Sequence, residues 1–307
     1  MSSVAIGLAL ALAASVALNG SYLLQHAGSA SAIAISPRRP IATLLSLLRS
    51  PAWALGAVAG CSGWALHVAA LSRAPLSLVQ AFVAGGLALA APMAIIGLGH
   101  RPRRDERRAL ALMVVALILL SIGLRDVGRH AAFAPAALAG YIGGLALLAG
   151  ALCAFARGAA RPAALGFAGG LLYGAADLAI KALTGAGGLA HVATSPWLPV
   201  ALACTVGAFF AFQRGLQVGR PLTVIALMTA ATNVFSIGGG FAVFGDPLGS
   251  TPVLAVLHAA AFALVAVAAW GLAPTQARLA AGPAAMGERH ADGLQRHSGV
   301  PGAVGAE

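Results

Sequence analysis

Charged side chains are scarce in this chain, where they make up 9% of the 307 residues. Soluble globular domains carry about 25% charged residues, so a chain this poor in charge cannot build a water-facing surface. Hydrophobic residues account for 60% of the sequence, and the mean hydropathy is +0.89. The composition therefore excludes a soluble protein of this length and indicates one that crosses a lipid bilayer several times.

Cysteines and catalytic motifs are also few. The three cysteines, Cys61, Cys153 and Cys204, lie far apart in apolar segments, a spacing that suits neither a disulfide framework nor a thiolate metal site. We expect them to act as small apolar residues. The HExxH and GxSxG motifs are absent, which argues against an intramembrane enzyme with either chemistry. We therefore expect neither enzymatic activity nor a cofactor.

Acidic residues are rarer than basic ones. The chain has 8 acidic and 19 basic residues, which gives a net charge of +11. The basic residues fall in short gaps between apolar runs, where they act as topology signals rather than as a nucleic-acid-binding face. Fifteen of them lie in one alternating set of loops and the C-terminal tail, whereas Arg73, Arg125 and Arg129 lie in the other set. Because cytoplasmic loops are enriched in arginine and lysine, we expect a plasma-membrane protein with its N-terminus outside and its C-terminus in the cytoplasm.

Long apolar runs dominate what the sequence does contain. Each run is close to the roughly 20 residues that an α-helix needs to cross a bilayer. The first run has no lysine or arginine before it and is long enough to span, so we expect a retained helix rather than a signal peptide. The sequence predicts an all-α bundle of about nine transmembrane helices, at 3–24, 52–71, 75–99, 109–124, 135–156, 163–183, 197–213, 221–244 and 252–272.

The two halves of the chain share an internal repeat. At a constant shift of 146 positions, Pro75 aligns with Pro221, and the segment GLGH aligns with VFGD, which ends at Asp246. A slightly larger shift aligns SYLLQHAG with ADLAIKAL, so that His26 stands opposite Lys181. Five helices separate the start of one copy from the start of the next, so the second copy enters the membrane from the other side. Such inverted repeats recur in secondary transporters, which hold their substrate near the midplane between the halves.

The repeat divides the chain into four segments. The connecting helix between the copies is the fifth one, and the C-terminal tail lacks apolar periodicity, which is typical of a disordered segment. The predicted segments are a first repeat at 1–124, the connecting helix with its flanking loops at 125–162, a second, inverted repeat at 163–273, and a disordered cytoplasmic tail at 274–307.

Five stretches carry a resemblance to a known family: SVALNGSYLLQHAG, PAWALGAVAGCSGWALHVAALSRAPLSLVQ and ERRALALMVVALILLSIG in the first half, and GLLYGAADLAIKAL and RPLTVIALMTAATNVFSIGGGFAVFGD in the second. They resemble the drug/metabolite transporter superfamily, and most closely its NIPA-like magnesium transporter branch, over roughly residues 3–273. The resemblance implies a carrier that works by alternating access, with Mg²⁺ as the solute in the nearest branch. Asp246 matches the acid that members commonly place after the closing glycine, whereas His100 stands at the corresponding first-half position and His26 where members often have a lysine.

Two charges interrupt the apolar stretch GLLYGAADLAIKALTG, residues 170–185. Asp177 is the only acid well inside any predicted span, and Lys181 follows four residues later on the same helix face, in the order that favours an ion pair. A lone charge at the centre of a membrane helix costs about 2.5–3.5 kcal/mol. The two residues therefore form either a structural ion pair that lowers the cost of insertion, or a substrate contact or proton-coupling site.

Further polar residues are candidates for a substrate pathway. Asn19, Gln80 and Asn233 are costly to bury in a membrane span, and His26 aligns with Lys181 of the second half. Together with Asp177 and Lys181 they form the predicted set of pathway residues.

Histidines and glycines inside the spans have structural explanations. His67 and His258 have no ligand partner at metal spacing, so we expect structural roles for both. Glycines at four-residue spacing let helices approach closely, which suits a tight bundle and a homodimer alike. The rows are Gly56 with Gly60, Gly140 with Gly144, and Gly166, Gly170 and Gly174.

The sequence alone leaves the solute open. Mg²⁺ is usually held by one or two carboxylates with near-octahedral oxygen ligation, and Asp177 is the residue that would bind it. A carboxylate near Lys181 suits an amphipathic or anionic metabolite at least as well. We therefore predict a multi-pass transporter of a small solute or ion. The alternatives are a metabolite or drug exporter of the same superfamily and a non-transporting scaffold or partner subunit.

Overall fold

Helices make up nearly all of the structure, a computed structural model that describes residues 3–29, 35, 38–86, 104–122, 132–184, 189–219 and 221–280. Within these ranges the chain forms eleven α-helices and no strand. A single 3₁₀ turn precedes the seventh helix. In chain order the helices are α1 Ser3–Ser29, α2 Pro40–Leu48, α3 Pro51–Leu71, α4 Leu76–Gly86, α5 Arg104–Leu120, α6 Pro135–Phe155, α7 Arg161–Thr184, α8 Leu189–Thr194, α9 Trp197–Val218, α10 Pro221–Phe244 and α11 Pro252–Ala280.

Seven helices in the described ranges are long and apolar enough to cross a membrane: α1, α3, α6, α7, α9, α10 and α11. They correspond to seven of the nine predicted spans, which confirms a polytopic helical membrane bundle. The predicted span 75–99 contains α4, and the predicted span 109–124 overlaps the 17-residue α5, which begins earlier, at Arg104. Residues 87–103, which include His100, lie outside the described residues.

Two loops and the C-terminal boundary differ from the sequence-based expectation. The short helices α2 and α8 lie in predicted loops, and α11 continues to Ala280, past the predicted start of the tail at 274. The sequence TQARLA at the end of α11 lacks apolar periodicity but contains good helix formers, which allow the helix to continue beyond its apolar part. The remaining tail, 281–307, is outside the described residues.

The bundle is organised around α7. In its most apolar window 72% of residues are buried inside the protein, compared with 22–44% for the other six spans. It packs against α6, α9 and α10, whereas α1 packs against α3 and α5 packs against α11. Contacts of α10 with α11, and smaller contacts of α3 with α7 and of α1 with α9, join these groups. The charged residues of α7 therefore lie at the centre of the fold.

Two of the three predicted glycine rows lie at helix crossings. A Cβ added to Gly170 would overlap the carbonyl oxygen of Met228, so α7 and α10 meet backbone to backbone. A Cβ added to Gly56 would lie 2.9 Å from a backbone nitrogen of α1. Gly140 and Gly144 would meet no atom within 4 Å, so the row on α6 faces away from the bundle. Close approach within one chain explains the first two rows.

Replacing Gly170 by alanine is expected to destabilise the bundle by about 1–3 kcal/mol, the usual cost of overpacking. The new methyl group would push α7 away from the Met228 carbonyl, and backbone atoms cannot move aside as a flexible side chain can. Gly144→Ala is the matched control, because the same change on α6 meets open space and raises helix propensity. Thermal unfolding of the detergent-purified protein should show a lower midpoint for Gly170→Ala alone. Equal midpoints for the two variants would contradict the close crossing.

Candidate functional site

A cavity of about 720 Å³ lies between two groups of helices. Its lining comes mainly from α1, α3 and α4 on one side and from α7, α9 and α10 on the other, and most of it is apolar or aromatic. Small-molecule pockets occupy about 300–1,000 Å³, so the cavity is large enough for a drug-sized solute. Within the described part of the chain, no lysine or arginine lines it.

Asp177 is the acid of this cavity and lies where four helices meet. Its Oδ1 lies 3.0 Å from Nε2 of His67 on α3. Its Oδ2 accepts hydrogen bonds from Nε2 of Gln80 on α4 at 2.6 Å and from Oγ of Ser236 on α10 at 3.0 Å. The residue is 8% exposed. Three donors compensate for the lost hydration, because an ionised carboxylate can only accept hydrogen bonds.

The hydrogen bonds around His67 assign its tautomer. Nε2 must carry a proton to donate to Asp177, so the 3.5 Å contact between this atom and Nε2 of Gln80 joins two donors and is not a hydrogen bond. Nδ1 is buried and has no partner among the described residues. A second proton on Nδ1 would leave a buried N–H unsatisfied, at a cost of about 1–3 kcal/mol. A neutral imidazole that donates through Nε2 fits these contacts, and Asp177 then has no cationic partner among the described residues.

Lys181 has partners other than Asp177, although the two residues stand four apart on α7. Its Nζ donates to the carbonyl oxygens of Leu71 at 2.8 Å and Ala74 at 2.7 Å. Leu71 is the last residue of α3, where the helix dipole is negative and a cation is stabilised, and Ala74 lies in the turn between α3 and α4. Lys181 is 3% exposed and does not line the cavity. Across the described ranges the side chain of Asp177 contacts His67 rather than Lys181, so the structure does not contain the ion pair that the spacing suggests.

Asp246, just after the end of α10, holds the turn between α3 and α4. Its Oδ2 accepts a hydrogen bond of 2.7 Å from the backbone N–H of Ser77, in the first turn of α4, where the helix dipole favours an anion. Gly245 has a φ of 61°, in the left-handed region that favours glycine, and it turns the chain so that the Asp246 N–H donates to the Gly240 carbonyl at 3.0 Å. We call Lys181 and Asp246, with their bonds to the α3–α4 turn, the latch.

The remaining predicted pathway residues are Asn19, Gln80, Asn233 and His26. Asn19, Gln80 and Asn233 line the cavity with Asp177. The Asn19 amide donates to the carbonyl of Ser15 at 2.8 Å, as a residue inside a helix often does. The side chain of His26 lies outside the described residues. The structure therefore brings four of the six candidates together at one cavity and places Lys181 beside it.

Two tyrosines complete the surroundings of the carboxylate. Tyr22 on α1 and Tyr173 on α7 line the cavity and lie close enough to Asp177 to interact with its charge. The ring of Tyr22 stands edge-on to the ring of Phe212, with 5.4 Å between the centroids. Aromatic surface therefore borders the acid on the cavity side.

His67 and Ser236 are the site residues that sequence reasoning missed. His67 is expected from its sequence to be structural, yet it contacts an acid 110 positions away. The available signal was the cost of an ionisable side chain inside an apolar helix, which favours a partner on another helix. His258, by contrast, contacts the carbonyl of Ile122 at 3.0 Å. Over the described ranges, no group of three His, Cys, Asp or Glu side chains could hold a metal ion.

The geometry of the cavity is the basis for assigning a function to the protein. Comparisons of the chain with protein families, with curated proteins and with solved structures find no match. A helical bundle can host many activities, so the residues of the site carry the functional inference.

Proposed function

We propose that this chain is a secondary transporter that moves a small organic solute across the membrane by alternating access. The observation that carries the proposal is a solute-sized cavity with a buried carboxylate, Asp177, between two groups of membrane helices. Ionisable groups buried inside membrane spans are costly and mark substrate or ion pathways. Secondary transporters bind substrate at such a seam and rock their halves around it.

The groups around Asp177 suit an organic solute better than Mg²⁺. Mg²⁺ favours near-octahedral oxygen ligation and keeps several of its waters. Asp177 is surrounded instead by donors from His67, Gln80 and Ser236, which a metal ion would have to displace. We therefore do not assign to this site the Mg²⁺ that the NIPA-like resemblance implies.

We further propose that the two halves are inverted repeats, and corresponding helix crossings support this. In the first half, a Cβ added to Gly86 of α4 would overlap Ser15 of α1. In the second half, Oγ1 of Thr232 on α10 donates to the carbonyl of Gly170 on α7 at 3.2 Å. Thr232 follows Gly86 by 146 positions and Gly170 follows Ser15 by 155, the shifts that align Pro75 with Pro221 and His26 with Lys181. The two contacts therefore lie at corresponding positions of the two halves. The glycine belongs to α4, the later helix, in the first half and to α7, the earlier helix, in the second.

A second crossing obeys the same two shifts. A Cβ added to Gly7 of α1 would lie 3.1 Å from Cβ of Arg73, just after α3. The corresponding positions of the second half are Pro162 of α7 and Gly219, just after α9, and a Cβ added to Gly219 would overlap the Pro162 ring. Because the two contacts lie in different parts of the chain, they support the repeat independently of the first crossing.

The repeat also explains the position of the cavity. Tyr22 and Asp177 are equivalent positions under the shift of 155, and both line the cavity. In an inverted repeat, equivalent positions come close together only near the pseudo-two-fold axis, which lies in the membrane plane. The proposed arrangement therefore puts Asp177 near the midplane, where a carrier can expose it to either side in turn.

Flux through the purified protein in proteoliposomes tests the transporter proposal. Cys61 is exposed and lines the cavity, so alkylation by N-ethylmaleimide places a bulky group in the pathway. In a Cys153→Ala, Cys204→Ala background, alkylation is expected to block flux of the transported solute, screened among amines, amino acids, protons and Mg²⁺. The additional change Cys61→Ala should remove this sensitivity. Absence of flux for every solute, or flux that alkylation leaves intact, would refute the proposal.

Cysteine labelling in cells tests the inverted arrangement. Ser250, between α10 and α11, and Asp105, at the start of α5, are both exposed. In a background without the native cysteines, an impermeant maleimide is expected to label Ser250→Cys from outside and Asp105→Cys only after permeabilisation. The reason is that equivalent loops of inverted repeats face opposite sides. Labelling of both positions from one side would rule out the inverted repeat.

A further inference from the structure

The cavity lining offers a solute the carboxylate of Asp177. An ionised Asp177 is negative, and a neutral His67 that donates to it through Nε2 adds no positive charge beside it. The ammonium of Lys181 is bound to two backbone carbonyls beside the cavity, and no lysine or arginine lines the cavity in the described ranges. Because an unpaired charge in the membrane is costly, a solute with a single positive charge is favoured there.

Asp177 also has room for one more hydrogen-bond donor. A carboxylate offers about four acceptor positions. His67, Gln80 and Ser236 use three of them, one on Oδ1 and two on Oδ2. The remaining position on Oδ1 can accept an N–H from an ammonium group without displacing any of the three protein donors. A quaternary ammonium has no N–H and would gain from the charge alone.

The rest of the cavity suits an apolar or aromatic body. Trp64, Tyr22 and Tyr173 line it, and the faces of such rings attract a cation and cover apolar surface. On α10, Oγ1 of Thr229 is buried without a partner among the described residues, one turn before the cavity-lining Asn233. These two groups offer hydrogen bonds to a neutral polar group at another part of the solute.

We propose, on the basis of the transporter function, that the substrate class is an amphiphilic organic amine that is protonated and keeps at least one N–H. Its ammonium binds the open acceptor position of Asp177, and its apolar body lies against the aromatic lining of α1, α3 and α7. The site discriminates against anions through the charge of Asp177 and against quaternary ammonium ions through the missing hydrogen bond.

Protection of Cys61 from N-ethylmaleimide measures binding to this site, in detergent and in the Cys153→Ala, Cys204→Ala background. The probes share one body and differ in the head group: 4-phenylbutylamine, 4-phenylbutyltrimethylammonium, 4-phenylbutanol and 5-phenylpentanoate. The amine is expected to protect at a concentration at least about tenfold below that of the alcohol, the effect of one hydrogen bond to a charged group. The quaternary probe should fall between these two, and the carboxylate should be weakest.

Two variants test whether Asp177 causes the preference for the amine over the alcohol. Asp177→Asn is expected to abolish the difference between amine and alcohol, because the side chain keeps its size and loses its charge. Asp105→Asn removes an exposed carboxylate from the start of α5 and should leave the difference unchanged. If Asp177→Asn does not fold, the order of the four probes on the protein with native Asp177 still decides the substrate class.

Several outcomes would overturn the inference. Equal protection by amine and alcohol, equal protection by the amine and the quaternary probe, or strongest protection by the carboxylate would each contradict the proposed class. A preference for the amine that survives Asp177→Asn would remove Asp177 from the site. Because protection requires no flux, a protein that binds the amine but transports nothing would refute the transporter and leave the amine site. Flux of an anion through the cavity would refute the amine site and leave the transporter.

Discussion

Asp177→Asn is expected to lower flux through the reconstituted protein by at least about tenfold, the weight of one hydrogen bond to a charged group. Asparagine has the shape of aspartate, so the cavity keeps its volume while the carboxylate charge is lost. The asparagine amide also brings donors to a place where His67, Gln80 and Ser236 already donate. Initial rates of uptake and efflux in proteoliposomes measure the change.

The control for this variant is Asp105→Asn, which removes an exposed carboxylate far along the chain from Asp177. Its flux should equal that of the native protein. Gel filtration and thermal unfolding show whether each variant remains a folded, monodisperse protein. Unchanged flux in folded Asp177→Asn would show that the carboxylate takes no part in transport, and the cavity would then need another explanation.

Lys181→Met is expected to open the protein on the side of the α3–α4 turn and to lower its stability by about 1.5–3 kcal/mol. Methionine matches lysine closely in length but cannot donate to the carbonyls of Leu71 and Ala74. Those bonds join α7 of one half to α3 of the other, so they must break when the halves separate on this side. The arginine distribution predicts this side to be extracellular. An impermeant maleimide should therefore label Cys61 faster from outside in the variant than in the native protein.

Asp246→Asn provides a matched test of the latch from the other end. Asp246 accepts the Ser77 N–H and its charge acts on the Lys181 ammonium. Removing either charge leaves the other uncompensated, so the double variant should be less impaired than the sum of the two single variants. If Lys181 contacted substrate instead, Lys181→Met would weaken binding of the solute and leave the labelling rate of Cys61 unchanged. That result would contradict the latch.

The spacing of Asp177 and Lys181 shows where sequence reasoning stops. Four-residue spacing correctly places both residues on the buried helix α7, and the cost of charge in a membrane span correctly marks them as residues that need partners. It does not determine the partners. Each side chain contacts groups of the first half rather than its neighbour on α7. Asp177 contacts His67 on α3 and Gln80 on α4, and Lys181 donates to the carbonyl of Leu71.

His67 and the glycine rows also show the difference between what the sequence indicates and what only the structure reveals. Glycines four residues apart are recognisable in the sequence as rows that suit close packing. Only the structure shows that Gly170 meets the backbone of α10, whereas Gly144 faces outward. Similarly, nothing near His67 in the chain indicates that its imidazole contacts Asp177, because the contact depends on how α3 and α7 cross.

The amino-acid sequence by itself determined that this chain enters the membrane as helices and where seven of them lie. Each span depends on the hydropathy of about 20 consecutive residues, a local property that neighbouring helices hardly change. The tertiary structure alone decided that Asp177 belongs to a cavity with His67, Gln80 and Ser236, and that Lys181 belongs to the latch. Those partners are set by helix packing between distant segments, which no local pattern encodes.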